Sequence, residues 1–144
     1  MSEDVPTPAR ALQVAGRLLD EGPGPGRART VVRLLRYALE TALDEYWDAL
    51  RPAEVPATVG RGKRLRLLAA TLDRTFAHDT YTAWCRLSDA ARPQPYEPAP
   101  SVRELRALQR ATVMAVDGLE AAAVTTAPAT GASSTSRSGT APSA

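Results

Sequence analysis

Val31-Val32-Arg33-Leu34-Leu35-Arg36-Tyr37-Ala38-Leu39-Glu40-Thr41-Ala42-Leu43-Asp44-Glu45-Tyr46-Trp47-Asp48-Ala49-Leu50 decides the fold class of this 144-residue chain. Val32, Leu35, Leu39, Leu43, Tyr46 and Leu50 recur at steps of three and four, the spacing that lines up side chains on one face of a helix. Val31, Ala38, Ala42 and Trp47 widen that face. Arg33, Arg36, Glu40 and Asp44 take the other side, with Arg36 and Glu40 one turn apart and able to pair. Arg51-Pro52 ends the segment, because the residue before a proline is pushed out of the helical region.

Upstream, Thr7-Pro8 predicts a helix start, a side-chain cap followed by a proline whose missing N–H is not needed there. Leu12, Ala15 and Leu19, flanked by Ala11 and Leu18, form its apolar stripe, and it ends near Glu21. Gly22-Pro23-Gly24-Pro25-Gly26 reads as a linker, which leaves this first helix free to dock loosely.

Downstream, a Pro-interrupted loop covers residues 52–60. A third helix is expected from about Arg61 to Ala77, burying Leu65, Leu68, Leu72 and Phe76. A fourth is expected to start around Asp79 as cap, carrying Tyr81, Trp84, Cys85 and Leu87 until Pro93 halts it. Four prolines between 92 and 100 make an extended connector. Ser101 with Glu104 is a capping box and opens a fifth helix with the stripe Val102, Leu105, Leu108, Thr112, Val116 and Leu119, fading near Val124. The domain plan is therefore a flexible N-terminus over 1–6, a helical bundle over 7–124 and a disordered tail over 125–144, too poor in large apolar residues to offset the entropy of ordering. The fold class is all-α, a bundle of four to five helices.

Composition narrows the function. A hydrophobic fraction of 44% supports one packed core, and Ala, Leu and Val carry it. A net charge of +2 implies no partner, and Lys63 is the one lysine among 18 Lys and Arg residues, a bias that base composition alone produces. Cys85 stands alone, so an internal disulfide is excluded, and its place between Trp84 and Leu87 suggests a buried thiol. The acidic start Met1-Ser2-Glu3-Asp4 has no apolar signal region, and no run of 18 apolar residues occurs, so a cytoplasmic protein without membrane association is expected. No Cys, His and carboxylate cluster has ligand spacing, so neither a metal nor another cofactor is expected.

His78 is the only histidine, placed between the expected third and fourth helices beside Asp79. It reads as a general base with an orienting carboxylate, or as a helix-end histidine favoured by the dipole. Arg61, Lys63, Arg64 and Arg66 cluster at the expected start of the third helix, where cations are disfavoured. With Gly60 and Gly62 allowing close approach, a phosphate or nucleic acid would relieve that conflict; a solvated basic face is the alternative. Gly60-Arg61-Gly62-Lys63 is not a phosphate-binding loop of the P-loop type, lacking the first glycine, the preceding strand and the Ser or Thr after lysine. Tyr46, Trp47, Tyr81 and Trp84 read as core aromatics, with base stacking as the alternative.

Trp84-Cys85-Arg86-Leu87-Ser88-Asp89-Ala90-Ala91-Arg92-Pro93-Gln94-Pro95-Tyr96-Glu97-Pro98-Ala99-Pro100-Ser101, continuing to Glu104-Leu105, resembles a segment of small helical proteins of high-GC bacteria in the HEPN superfamily. Ala38-Leu39-Glu40 followed by Tyr46-Trp47 fits the same resemblance, which spans roughly residues 31–110. It implies a homodimeric helical scaffold, RNA or a nucleotide as ligand, and a nucleotidyltransferase-type protein partner in a toxin–antitoxin or defence setting. Active members cleave RNA without metal, using an Arg and a His four to six residues apart. Here the motif arginine falls at Asp89 and the histidines at Arg92, Pro93 and Gln94, so the acid–base half is missing. The expected function is non-catalytic binding. The alternatives are a metal-independent RNase built on His78, Arg86 and Arg92, and a structural adaptor.

Overall fold

The computed structural model describes residues 5–22, 24–50, 60, 65, 68–92 and 98–126. Four helices organise them: α1 (Pro8–Asp20), α2 (Pro25–Leu50), α3 (Arg74–Ala91) and α4 (Val102–Thr126), with a short 3-10 turn at Leu68–Ala70. No strand occurs among the described residues, so the class is all-α. Residues 1–4, 23, 51–59, 61–64, 66–67, 93–97 and the tail from 127 lie outside them.

The helix α2 packs against α1, α3 and α4, while α1 and α3 each touch α2 and α4. The α2–α4 pair is thus the spine, with α1 and α3 on either side. This explains the unusually wide apolar face of α2: Val31, Val32, Leu35, Ala38, Leu39, Ala42, Leu43 and Tyr46 are all buried. Each such Leu or Val contributes roughly 1.5–3 kcal/mol relative to an exposed side chain. Tyr46, buried whole, donates its hydroxyl to Thr71 Oγ1 at 2.7 Å. The Thr71 hydroxyl in turn reaches Leu68 O at 3.3 Å, so the 3-10 turn is tied to the spine.

The cap of α1 forms as expected, with the Arg10 amide donating to Thr7 Oγ1 at 3.1 Å. Loose docking does not hold. Ala11, Ala15 and Leu19 are 1%, 0% and 2% exposed, because small side chains let the helix sit close to its neighbours. At Gly16 an added Cβ would stand only 3.1 Å from Gln109 Nε2 of α4. The linker is also shorter than expected: Pro25 opens α2, a position where proline's fixed φ suits the first turn. Tyr37 donates to the Pro6 carbonyl at 2.8 Å, which ties down a residue assigned to the flexible N-terminus.

A second correction concerns the break between the expected third and fourth helices. It falls at 71–73, not at His78-Asp79. Leu68 O accepts from both Thr71 N and Leu72 N, closing the 3-10 turn. Asp73 then caps α3, its Oδ2 accepting from the Phe76 amide at 3.1 Å. Nothing between Ala77 and Asp79 interrupts the backbone pattern, so the helix runs through both. His78 therefore sits near the start of α3, and a helix C-terminal role is excluded.

The capping box of α4 is present in both directions: Ser101 N donates to Glu104 Oε2 at 2.8 Å, and Glu104 N to Ser101 Oγ at 3.1 Å. Val102 does not join the stripe; it is 43% exposed at the helix's first position, and burial begins at Leu105. Thr112 is buried and donates to Leu108 O at 2.7 Å, which is how a hydroxyl is tolerated in the stripe. The helix continues to Thr126, two residues beyond the expected end of the bundle.

Candidate functional site

Of the side chains singled out by the sequence, His78, Tyr81, Trp84, Cys85, Arg86 and Asp89 lie on α3 and Arg92 directly follows it. Trp84 is half-buried, and its indole N–H donates to Glu40 Oε2 at 3.1 Å. The same oxygen accepts from Arg36 Nε at 3.2 Å, so the Arg36–Glu40 pair forms as the spacing implied and is extended across two helices. Sequence reasoning missed the indole: residues 40 and 84 are joined only by the packing of α2 and α3.

On the solvent side of α3, His78, Asp79, Arg86, Asp89 and Arg92 are all exposed. His78 lines a cleft of about 240 Å³ with Leu65, Ala69, Arg74, Ala77 and Tyr81. Arg86 lines a different one of about 250 Å³, between α3 and α4, with Phe76, Asp79, Thr80, Ala83, Ala111, Met114 and Ala115. Eight residues separate His78 from Arg86, an axial rise of about 12 Å and a rotation of roughly 80°. Arg92 follows the last turn, its amide closing α3 on Asp89 O at 3.2 Å. The three residues of the alternative catalytic set are therefore spread along one helix and do not converge.

Of the basic cluster, Arg61, Lys63, Arg64 and Arg66 lie outside the described residues; their neighbour Leu65 is buried. Cys85 is a free thiol of intermediate exposure, less buried than its pattern suggested. Tyr46 and Trp47 are core residues in edge-to-face contact at 5.6 Å, while Tyr81 and Trp84 are only half-buried.

The α3–α4 cleft was not legible in the sequence. Its walls are apolar except for Asp79 and Arg86 at the rim and the threonines of α3. Thr80 is 1% exposed, and its Oγ1 has no hydrogen-bond partner, as also holds for Trp47 Nε1 and Ser88 Oγ. Phe76, one of the cleft's lining residues, lies over Gly118, where an added Cβ would overlap the ring.

Across the molecule, a groove of about 650 Å³ between α1 and α4 is edged by Arg10, Gln13, Asp117 and Glu120. Partial burial and the nearby carboxylates of Glu45 and Asp117 hold the Glu120 carboxyl above the usual range. Among the described residues no group of His, Cys, Asp and Glu could hold a metal ion. Nor is any described helix long and apolar enough to cross a membrane.

Comparison with protein-family models, curated proteins and solved structures finds no match to this chain.

Proposed function

We propose that this chain is a HEPN-like helical bundle that acts by binding and does not cleave RNA. The observation that carries this reading is the dispersal of His78 and Arg86 to separate clefts on one helix, with an exposed carboxylate, Asp89, at the position of the motif arginine. Metal-free cleavage needs a base at the 2′-hydroxyl and a cation at the phosphate within one substrate's reach. Arg86, about 12 Å along the axis from the imidazole, does not supply that pair; the arginine that shares the His78 cleft is Arg74, one turn earlier and outside the motif segment. A carboxylate at residue 89 repels phosphate.

The partners this reading admits are a second copy of the chain, a nucleotidyltransferase-type protein in a toxin–antitoxin or defence setting, and RNA or a nucleotide held by Arg61, Lys63, Arg64 and Arg66. Equilibrium titration with single-stranded RNA at two salt concentrations tests the last. Use of the basic residues requires affinity to fall steeply with salt, and Arg64→Ala with Arg66→Ala to flatten that dependence. RNA binding that ignores both salt and these substitutions removes the basic cluster from the account.

A further inference from the structure

Thr30, Thr112 and Thr125 each donate the side-chain hydroxyl to the carbonyl four residues earlier, at 3.1, 2.7 and 3.0 Å. Thr80 of α3 makes no such bond, although it is 1% exposed and its Oγ1 is out of reach of water. A buried hydroxyl in that state costs stability until something supplies a partner. The other two buried orphans, Trp47 Nε1 and Ser88 Oγ, belong to residues that line none of the three clefts described above. Thr80 does line one, the α3–α4 cleft of about 250 Å³, so an occupant of that cleft is placed to supply the partner. The space exists because α4 presents Ala111 and Ala115 to it, side chains too short to fill the gap between two helices.

We infer that the α3–α4 cleft binds a small, uncharged aromatic molecule carrying one O–H or N–H group, which Thr80 Oγ1 accepts. Apolar walls with a single convergent polar atom are the usual make-up of a small-molecule site. The size follows from the volume. A dry cavity of about 150 Å³ takes benzene, so this cleft has room for about ten non-hydrogen atoms. The aromatic character follows from the walls, since Phe76 offers a ring and Met114 a polarizable thioether, both of which favour a ring as neighbour. The neutrality follows from the rim. Asp79 and Arg86 are both exposed and seven residues apart, so they share one side of α3, about 10 Å apart along its axis. Their opposite charges give the rim no net preference for an anion or a cation. This inference goes beyond the proposed contacts with RNA or a protein, and neither residue changed in its test belongs to the basic cluster.

Titration of the full, isotope-labelled chain with indole, followed by amide NMR shifts, tests it. Saturable shifts are expected around Thr80, Ala111 and Met114, with a Kd on the order of 0.1–1 mM for a ligand of this size. Thr80→Val should weaken indole about three- to tenfold, while Thr80→Ser, which keeps the hydroxyl, should not. 1-Methylindole, which has no N–H, should bind the wild-type chain more weakly than indole and lose that disadvantage in Thr80→Val. Ala111→Leu fills the cleft and should abolish the saturable shifts, with circular dichroism checking that the variant folds. Should it fail to fold, the comparison of indole with 1-methylindole in Thr80→Val decides alone. Indole that gives no saturable shift up to its solubility limit overturns the inference, as do shifts centred on the α1–α4 groove. So does binding that a folded Ala111→Leu leaves unchanged. Indole-3-acetate or tryptamine binding at least about tenfold tighter than indole would overturn the neutral class, because one rim charge would then be selecting the ligand. RNA titration and cleavage on the same sample keep the two levels apart: a failed indole titration defeats the cleft alone, and RNA cleavage defeats the binding reading alone.

Discussion

Trp84 of α3 donates its indole N–H to Glu40 of α2 at 3.1 Å, on the carboxylate oxygen that Arg36 also reaches. Glu40 is thereby held at the edge of the core by a charged and a neutral donor at once. Its side chain is 17% exposed, and a carboxylate that poorly hydrated needs such partners.

Replacing Trp84 with Phe keeps most of the ring volume and removes the donor, so a loss of about 1.5–3 kcal/mol is expected, the range for a hydrogen bond to a charged group. Chemical denaturation of Trp84→Phe, Glu40→Gln and the double variant checks it. A double variant whose loss equals the sum of the singles would mean the two side chains are not coupled.

Gly118 should respond to alanine according to what stands at residue 76. Phe76 lies where the new Cβ would go, so Gly118→Ala displaces the ring and destabilises by about 1–3 kcal/mol. In a Phe76→Ala background the obstacle is gone, and the same change should stabilise by up to about 1 kcal/mol through helix propensity. Thermal melts of the four chains suffice, and an unchanged sign would refute the contact.

How much of this was legible in the sequence depends on the reach of each interaction. The caps at Thr7 and at Ser101 with Glu104 are local and could be read directly, because the groups that pair are three residues apart. The start of α3 could not. Asp73 and Asp79, six apart, are both of a residue type that caps helices, the Leu-rich pattern crosses both, and the 3-10 turn that settles the choice for Asp73 leaves no periodic signature. The apolar stripe of α1 was read but its tight docking was not, because Ala11 and Ala15 look weak as core residues until a neighbour comes close. The contact between Glu40 and Trp84, and the cleft shared by Arg86 and Met114, join residues far apart in the chain, so one sequence without its packing does not contain them.

Glu120 offers a test by pH. Its folded-state carboxyl holds its proton more tightly than the unfolded chain does, chiefly through partial burial and then through Glu45 and Asp117. The stability this group contributes is therefore fully present below the ordinary glutamate range and is lost as pH rises through the raised value. Glu120→Gln should stabilise modestly at neutral pH, and the gain should vanish in acid below the unfolded glutamate range. Equal gains at both ends of the titration would contradict the assignment.

Thr80 is buried with an unpartnered hydroxyl, so Thr80→Val should be neutral or stabilising by up to about 1 kcal/mol. A marked loss in urea unfolding would reveal that the hydroxyl has a partner.

The most direct test of the central claim is incubation of the purified chain with single-stranded RNA and with tRNA in the presence of a metal chelator. Binding without cleavage predicts intact RNA at every time point, and no change on His78→Ala. Cleavage abolished by His78→Ala would contradict the account and establish an RNase that uses the imidazole on α3.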